Sequence, residues 1–192
     1  MIERCTSISN EVWRGRVFVE FKLSEDDILS SFPPRPFYVL SKRISYLPLI
    51  STPAIASFRS YAVDLHNQNI WFEYSCMAST ERVPLRSDLP LGVLYDSLVI
   101  GSGHESSSFQ IFKVTIHFTK FPISKAIRCW SNEMMRRYYF QSLKQAVYTL
   151  HGNTKIISSA PNLLEDLWSS ISNGSLISYP ISIFSRNYKF II

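Results

Sequence analysis

Apolar and polar positions alternate most cleanly over residues 16–23, R-V-F-V-E-F-K-L. Val17, Val19, Phe21 and Leu23 fall on one side of a pleated chain and Arg16, Glu20 and Lys22 on the other, which predicts a strand with one buried face. The proline-rich S-F-P-P-R-P of residues 31–36 interrupts it, and residues 37–40 predict a second strand. The pattern turns helical in the later part of residues 45–61, where Ile55, Phe58 and Ala62 share a face; Pro48 and Pro53 restrict where that helix begins. Residues 69–74, N-I-W-F-E-Y, predict a third strand, 83–86 a short fourth, and 91–98 a short helix after Pro90. Residues 76–82 and the Gly/Ser-rich 101–108 read as loops. The longest strand is predicted over 109–118, with Phe112, Val114, Ile116 and Phe118 toward the core and Lys113, Thr115 and His117 opposite.

After Pro122 the period changes. Residues 129–152 predict one amphipathic helix. Its apolar stripe takes Met135, Tyr138 or Tyr139, Leu143, Ala146 or Val147, and Leu150. Ser131 suits the N-cap, Glu133 the first turn and Gly152 the stop. Lys144 falls beside the stripe, one residue past Leu143, and so projects into solvent. A second helix starts near Pro161-Asn162, turns Leu164, Leu167, Trp168 and Ile171 inward, and ends near Asn173-Gly174. Residues 176–184, L-I-S-Y-P-I-S-I-F, predict an apolar strand. A hairpin, a helix across it and a final strand returning to the middle is the element order of a ubiquitin-like β-grasp. The expected fold class is therefore α+β: a β-grasp domain over residues 1–122, a helix-rich domain over 123–174, and over 175–192 the start of an incomplete second ubiquitin-like domain.

Composition narrows the function classes. With 192 residues and 46% hydrophobic side chains the chain builds a packed core, which excludes wholesale disorder. The net charge of +5 favours an anionic partner, although no basic run exceeds a pair. Cys5, Cys76 and Cys129 are odd in number and widely spaced, as expected of reduced thiols in a cytoplasmic setting. The N-terminus lacks the apolar core of a signal peptide, and the apolar run 89–100 is short and carries Asp96, so membrane contact is expected to be peripheral.

Catalytic and metal-binding patterns are missing. His66, His104, His117 and His151 lack zinc-ligand spacing, so no metal is expected. Neither a phosphate-binding loop nor a dinucleotide fingerprint occurs, so no cofactor is expected. Gly101-Ser102-Gly103-His104-Glu105 sets a serine near a histidine, but without the strained elbow a serine nucleophile needs. Asp26-Asp27 and Glu165-Asp166 read as solvated surface pairs. Residues 14–21, R-G-R-V-F-V-E-F, partly match an RNA-recognition signature at Arg14, Gly15, Phe18, Val19 and Phe21. Arg16 replaces a stacking aromatic, and the segment sits on the first strand instead of the third, which leaves a small RNA-binding domain as the alternative.

An ordered set of stretches carries a resemblance. These are V-W-R-G-R-V at 12–17, R-I-S-Y-L at 43–47, I-W-F-E-Y at 70–74, P-L-R at 84–86, P-L-G-V-L-Y-D at 90–96, V-T-I-H-F-T-K-F-P at 114–122, L-K-Q-A at 143–146, and Leu167-Trp168. Together they resemble the autophagy protein five family over essentially the whole chain. The resemblance implies two ubiquitin-like domains flanking a helix-rich one, and a scaffold without a nucleophile of its own. It implies that Lys144 accepts the C-terminal glycine of autophagy protein twelve through an isopeptide bond made by E1-like and E2-like enzymes. The resemblance further implies that the conjugate acts E3-like, recruiting autophagy protein three, which transfers autophagy protein eight to phosphatidylethanolamine at the preautophagosomal membrane. Autophagy protein sixteen binds a groove built by all three family domains, so with an incomplete second ubiquitin-like domain its binding is expected to be weakened or lost. An inactive truncated scaffold is the remaining alternative.

Overall fold

The computed structural model describes residues 14–62, 70–75, 82–100, 110–155 and 161–173. Strands β1 (Arg16–Leu23), β2 (Phe37–Lys42), β3 (Trp71–Ser75), β4 (Arg82–Pro84) and β5 (Phe112–His117) form one sheet in the order β2-β1-β5-β3-β4. The central pair is parallel, with Val19 beside Phe112 and Leu23 beside Ile116. Antiparallel pairs flank it: β1 with β2, β5 with β3, and β3 with β4. The last strand of the sheet thus returns to its middle, as the element order predicts.

Alternation sets the two faces. Val17, Val19, Phe21 and Leu23 of β1 and Phe112, Val114 and Ile116 of β5 turn to one side and are buried. Helices α1 (Leu47–Ile50), α2 (Thr52–Phe58) and α3 (Leu91–Tyr95) contribute Leu47, Ala54, Ile55, Phe58, Leu91 and Leu94 to the same core. Phe21, Phe58, Phe72 and Phe112 are among its fully buried side chains. Each contributes about 1.5–3 kcal/mol on leaving water.

The prolines decide the helical segment. The single helix expected within 45–61 is two: Pro48 opens α1 and Pro53 opens α2, each in a first turn, where a missing N–H costs no hydrogen bond. Ser51 joins them, its N–H donating to Leu47 O at 3.0 Å and its carbonyl accepting from Ile55 N–H at 2.8 Å. The helix expected over 91–98 is α3 followed by one π-helical turn, Asp96–Ile100. The short strand expected over 83–86 starts one residue earlier and ends at Pro84, with Leu85 N–H donating to Phe72 O at 2.8 Å just beyond it. The Gly/Ser segment 101–108 and the apolar 176–184 lie outside the described residues, as do Cys5 and Cys76.

Beyond Pro122 the described residues hold two helices and no strand. Helix α4 (Asn132–His151) begins directly after Ser131, the expected N-cap: the Ser131 hydroxyl accepts from Met134 N–H at 3.2 Å. It ends at Gly152, whose φ of 69° is the left-handed stop that favours glycine. Helix α5 (Pro161–Asn173) follows. A second apolar cluster of Tyr46, Cys129 and Met135, with Leu49, Ile127, Met134, Tyr139, Trp168 and Ile171 packed on it, seats both helices on the sheet domain. A mixed sheet with helices on one face, followed by a helical layer, is the α+β fold that the change of period predicts.

Candidate functional site

Helix α4 is held along one side. Met135 and Val147 are buried, and Cys129 Sγ lies 3.8 Å from Met135 Sδ. Trp168 of α5 packs on Tyr139 and Phe140 at ring-centroid distances of 5.8 and 6.4 Å, and Arg136 pairs with Glu165 of α5. Burial pushes the Cys129 thiol up to about 12 and the Tyr46 hydroxyl, also with Tyr139 and Asp88 nearby, up to about 12, so both are neutral packing groups. Leu150, expected in the buried stripe, is 66% exposed. Trp168 and Glu165 of α5 meet α4 at residues 136–140, short of Leu150.

Lys144 is exposed, between half-buried Leu143 and buried Val147, on a helix capped at both ends. Arg137, two turns earlier, is engaged by Glu133 at 2.5 Å, and His151, two turns later, is half-buried. What α4 offers chemically is one long primary amine on a rigid support. Lys155, the nearest other lysine, lies past Gly152, its backbone N–H bound to Asn153 Oδ1 at 3.1 Å.

A groove of about 380 Å3 opens where the two layers meet, lined by Arg43, Ile44, Tyr46, Gly92, Asp96 and Ile171 among others. Gly92 N–H donates to Arg43 O and Leu91 N–H to Ser45 O, both at 2.7 Å. A Cβ on Gly92 would stand 2.9 Å from Arg43 Cβ, so only glycine permits this approach. The Arg43 guanidinium pairs with Asp96 and lies 5.9 Å from the Tyr95 ring centroid.

The opposite face of the sheet holds buried polar groups. His117 stacks on Trp71 at 3.8 Å and lies 3.5 Å from Glu73. Burial lowers its pKa to about 4, so the contact joins a neutral imidazole to Glu73 near neutral pH. Asp27, expected as solvated surface, is fully buried. It accepts from Phe118 N–H at 2.8 Å and from the Thr119 hydroxyl, while its neighbour Asp26 stays exposed and pairs with Lys120. The 3-10 turn Glu25–Asp27 directs one carboxylate in and the other out.

Two family models match this chain. "Autophagy protein ATG5, UblA domain" covers residues 12–118, and "Autophagy protein ATG5, alpha-helical bundle region" covers 132–184. The chain belongs to the autophagy protein 5 family. Among relatives in this family, autophagy protein 5 of Arabidopsis thaliana is 32% identical over 169 residues, covering 88% of this chain and 46% of the relative. That of Drosophila melanogaster is 30% identical over 163 residues, covering 84% and 56%. The crystal structure of Kluyveromyces marxianus Atg5 shares the fold, with a TM-score of 0.66 at 24% identity over 95% of this chain and 64% of that one. The chain thus spans about half the length of the curated relatives it matches, and family membership places it among the autophagy proteins.

Within the family frame, the sheet domain precedes α4 and α5, and two of the stretches that carry the resemblance, 43–47 and 90–96, meet at the groove. Sequence reading missed three features: the Arg43–Asp96 pair, 53 positions apart; the inward turn of Asp27; and the burial of His117, an outward position by alternation. None leaves a local periodic signal. Of the RNA-recognition residues, Phe18 lies on the sheet face away from the helices, but its ring stacks on Tyr38.

Proposed function

We propose that this chain is the acceptor scaffold of a ubiquitin-like conjugation in autophagy and that Lys144 is its acceptor. The match of residues 143–146, L-K-Q-A, to the family carries the proposal, and the exposed amine of Lys144 on α4, a helix with caps at both ends and packing on α5, supports it. In the reaction, the neutral amine attacks the thioester carbonyl that links the C-terminal glycine of autophagy protein twelve to an E2-like enzyme. The C–N bond forms, the C–S bond breaks, the sulfur leaves as thiolate, and the amine's proton passes to a base of the conjugating enzyme. A helix that does not yield under the approaching enzyme fixes where the nitrogen stands, and such positioning lowers the barrier.

The conjugate then works as an E3-like scaffold: it recruits autophagy protein three and promotes transfer of autophagy protein eight to phosphatidylethanolamine. The chain itself contributes binding surfaces and one lysine and no catalytic group. Contact with the preautophagosomal membrane is peripheral and electrostatic, from a cytoplasmic pool.

Reconstitution with the E1-like and E2-like enzymes and autophagy protein twelve tests the reading. Lys144→Arg keeps the charge and removes the acylatable amine. The wild type is expected to form a higher-mass conjugate, Lys155→Arg to do so equally, and Lys144→Arg to form none. Conjugation that survives Lys144→Arg overturns the site. A wild type that fails to conjugate overturns the scaffold reading.

A further inference from the structure

Strand β2 is an outer strand of the sheet, and among the described residues only β1 pairs with it. Arg43 N–H donates to Gly15 O at 3.0 Å, just beyond the Lys42–Arg16 pair. Alternation then turns the backbone groups of Phe37, Val39 and Ser41 toward β1 and those of Tyr38 and Leu40 outward. The outward edge is apolar where edge strands usually carry a charge or a proline. Tyr38 is 52% exposed and Leu40 53% exposed, and Phe18, directly across from Leu40, stacks on Tyr38 at 5.7 Å and 19°.

Positive charge brackets this apolar centre. Arg16 faces Lys42 at one end, and exposed Arg14 and Arg35 flank the strands; none of the four makes an ion pair among the described residues. The one acid of β1 and β2 is Glu20, buried and 3.1 Å from Lys22. A second copy of β2 laid antiparallel on this edge would bring Arg35 toward Lys42 and Arg43 of its neighbour, so like charges oppose self-pairing. A lipid surface would leave the outward N–H groups unsatisfied. A nucleic-acid base would compete for rings already stacked on one another.

We propose that β2 accepts an extended acidic peptide of a partner protein as an added edge strand. The peptide backbone bonds to the outward groups of Tyr38 and Leu40, its central apolar side chains cover Tyr38, Leu40 and Phe18, and its terminal carboxylates face Arg16, Arg35 and Lys42. Backbone pairing supplies affinity, while the basic ends and apolar centre supply selection.

The probe is a fluorescein-labelled octapeptide with two carboxylates at each end and a Val-Thr-Val-Thr centre, titrated into the full chain by fluorescence anisotropy. Saturable, salt-sensitive binding is expected. N-methylating both valine amides removes two backbone hydrogen bonds and should weaken binding about tenfold or more. Lysine in place of the four carboxylates should abolish it. Leu40→Pro removes an outward N–H at a position where an edge strand tolerates proline, and should weaken binding of the parent peptide similarly. Lys42→Glu should weaken it while leaving the thermal melt of the protein unchanged. If Leu40→Pro alters the melt, the N-methylated peptide on the wild type decides. Binding indifferent to N-methylation, or a lysine peptide that binds equally, overturns the proposal. So does displacement of the peptide by a uridine oligonucleotide or a phosphatidylserine vesicle that itself binds more tightly.

Discussion

Replacing Asp27 by alanine should weaken the fold more than any surface change. Asp27 is fully buried at the end of β1 and accepts the Phe118 N–H at 2.8 Å and the Thr119 hydroxyl just past β5. Beside it, Ser24 N–H bonds Ile116 O at 2.9 Å, so this corner ties together the two central parallel strands. Alanine removes both bonds and leaves the N–H of buried Phe118 without its acceptor. An orphaned buried donor costs about 1–3 kcal/mol, and a lost hydrogen bond to a charged group about 1.5–3. Relief from burying the carboxylate offsets part of this, for a net loss of about 3 kcal/mol. That is a large share of an ordinary stability of about 5–15 kcal/mol, and at about 2–4 °C per kcal/mol it lowers Tm by about 6–12 °C. Asp27→Asn keeps an acceptor for Phe118 and should lose less than half as much. Urea unfolding near pH 7 followed by tryptophan fluorescence measures both variants. An alanine variant within about 0.5 kcal/mol of wild type, the range of an ordinary surface substitution, would refute the assigned role of Asp27.

Other consequences follow from the same corner and from α4. The His117 pKa of about 4 lies below its ordinary 6.5, so the unfolded chain takes up the proton first. Its contribution to stability is full above about pH 6.5 and declines as pH falls from there toward 4, and His117→Gln should flatten that slope in denaturant titrations. With its thiol pushed up to about 12 by burial, Cys129 should resist iodoacetamide in the native protein and react once urea unfolds it; equal labelling in both states would contradict its packing. Ser131→Ala should cost about 1 kcal/mol in the same urea assay by removing the cap of α4.

The faces of the sheet were legible because period two is a local property: Val17, Val19, Phe21 and Leu23 declare a buried side whatever lies on it. The caps of α4 were legible for the same reason, since Ser131 and Gly152 act within a turn of themselves. Two helices in place of one were half-legible: Pro48 and Pro53 marked boundaries, but each proved to open a helix. Leu150 misled because amphipathic spacing records which side of a helix is apolar, not how deeply each position on that side is buried. Asp27 and His117 misled because charge and alternation both point them to water, and only contacts with residues 118–119 and with Trp71 bring them inside. Lys144 stood out in the sequence by its place beside the stripe, and it is exposed on α4. Its role comes from the resemblance of residues 143–146, since an exposed lysine alone has no chemical signature that separates an acceptor from a solubilising group.

The assignment of Lys144 is tested most directly by mapping the linkage in conjugate purified from the organism that makes this protein. Trypsin cuts after an unmodified Lys144, releasing residues 138–144 and 145–155 separately. An acylated Lys144 blocks that cut. The account predicts a single branched peptide spanning residues 138–155, carrying on Lys144 a remnant that ends in glycine. A conjugate whose digest instead yields unmodified 138–144 in full, with the branch on Lys155 or another lysine, would contradict it.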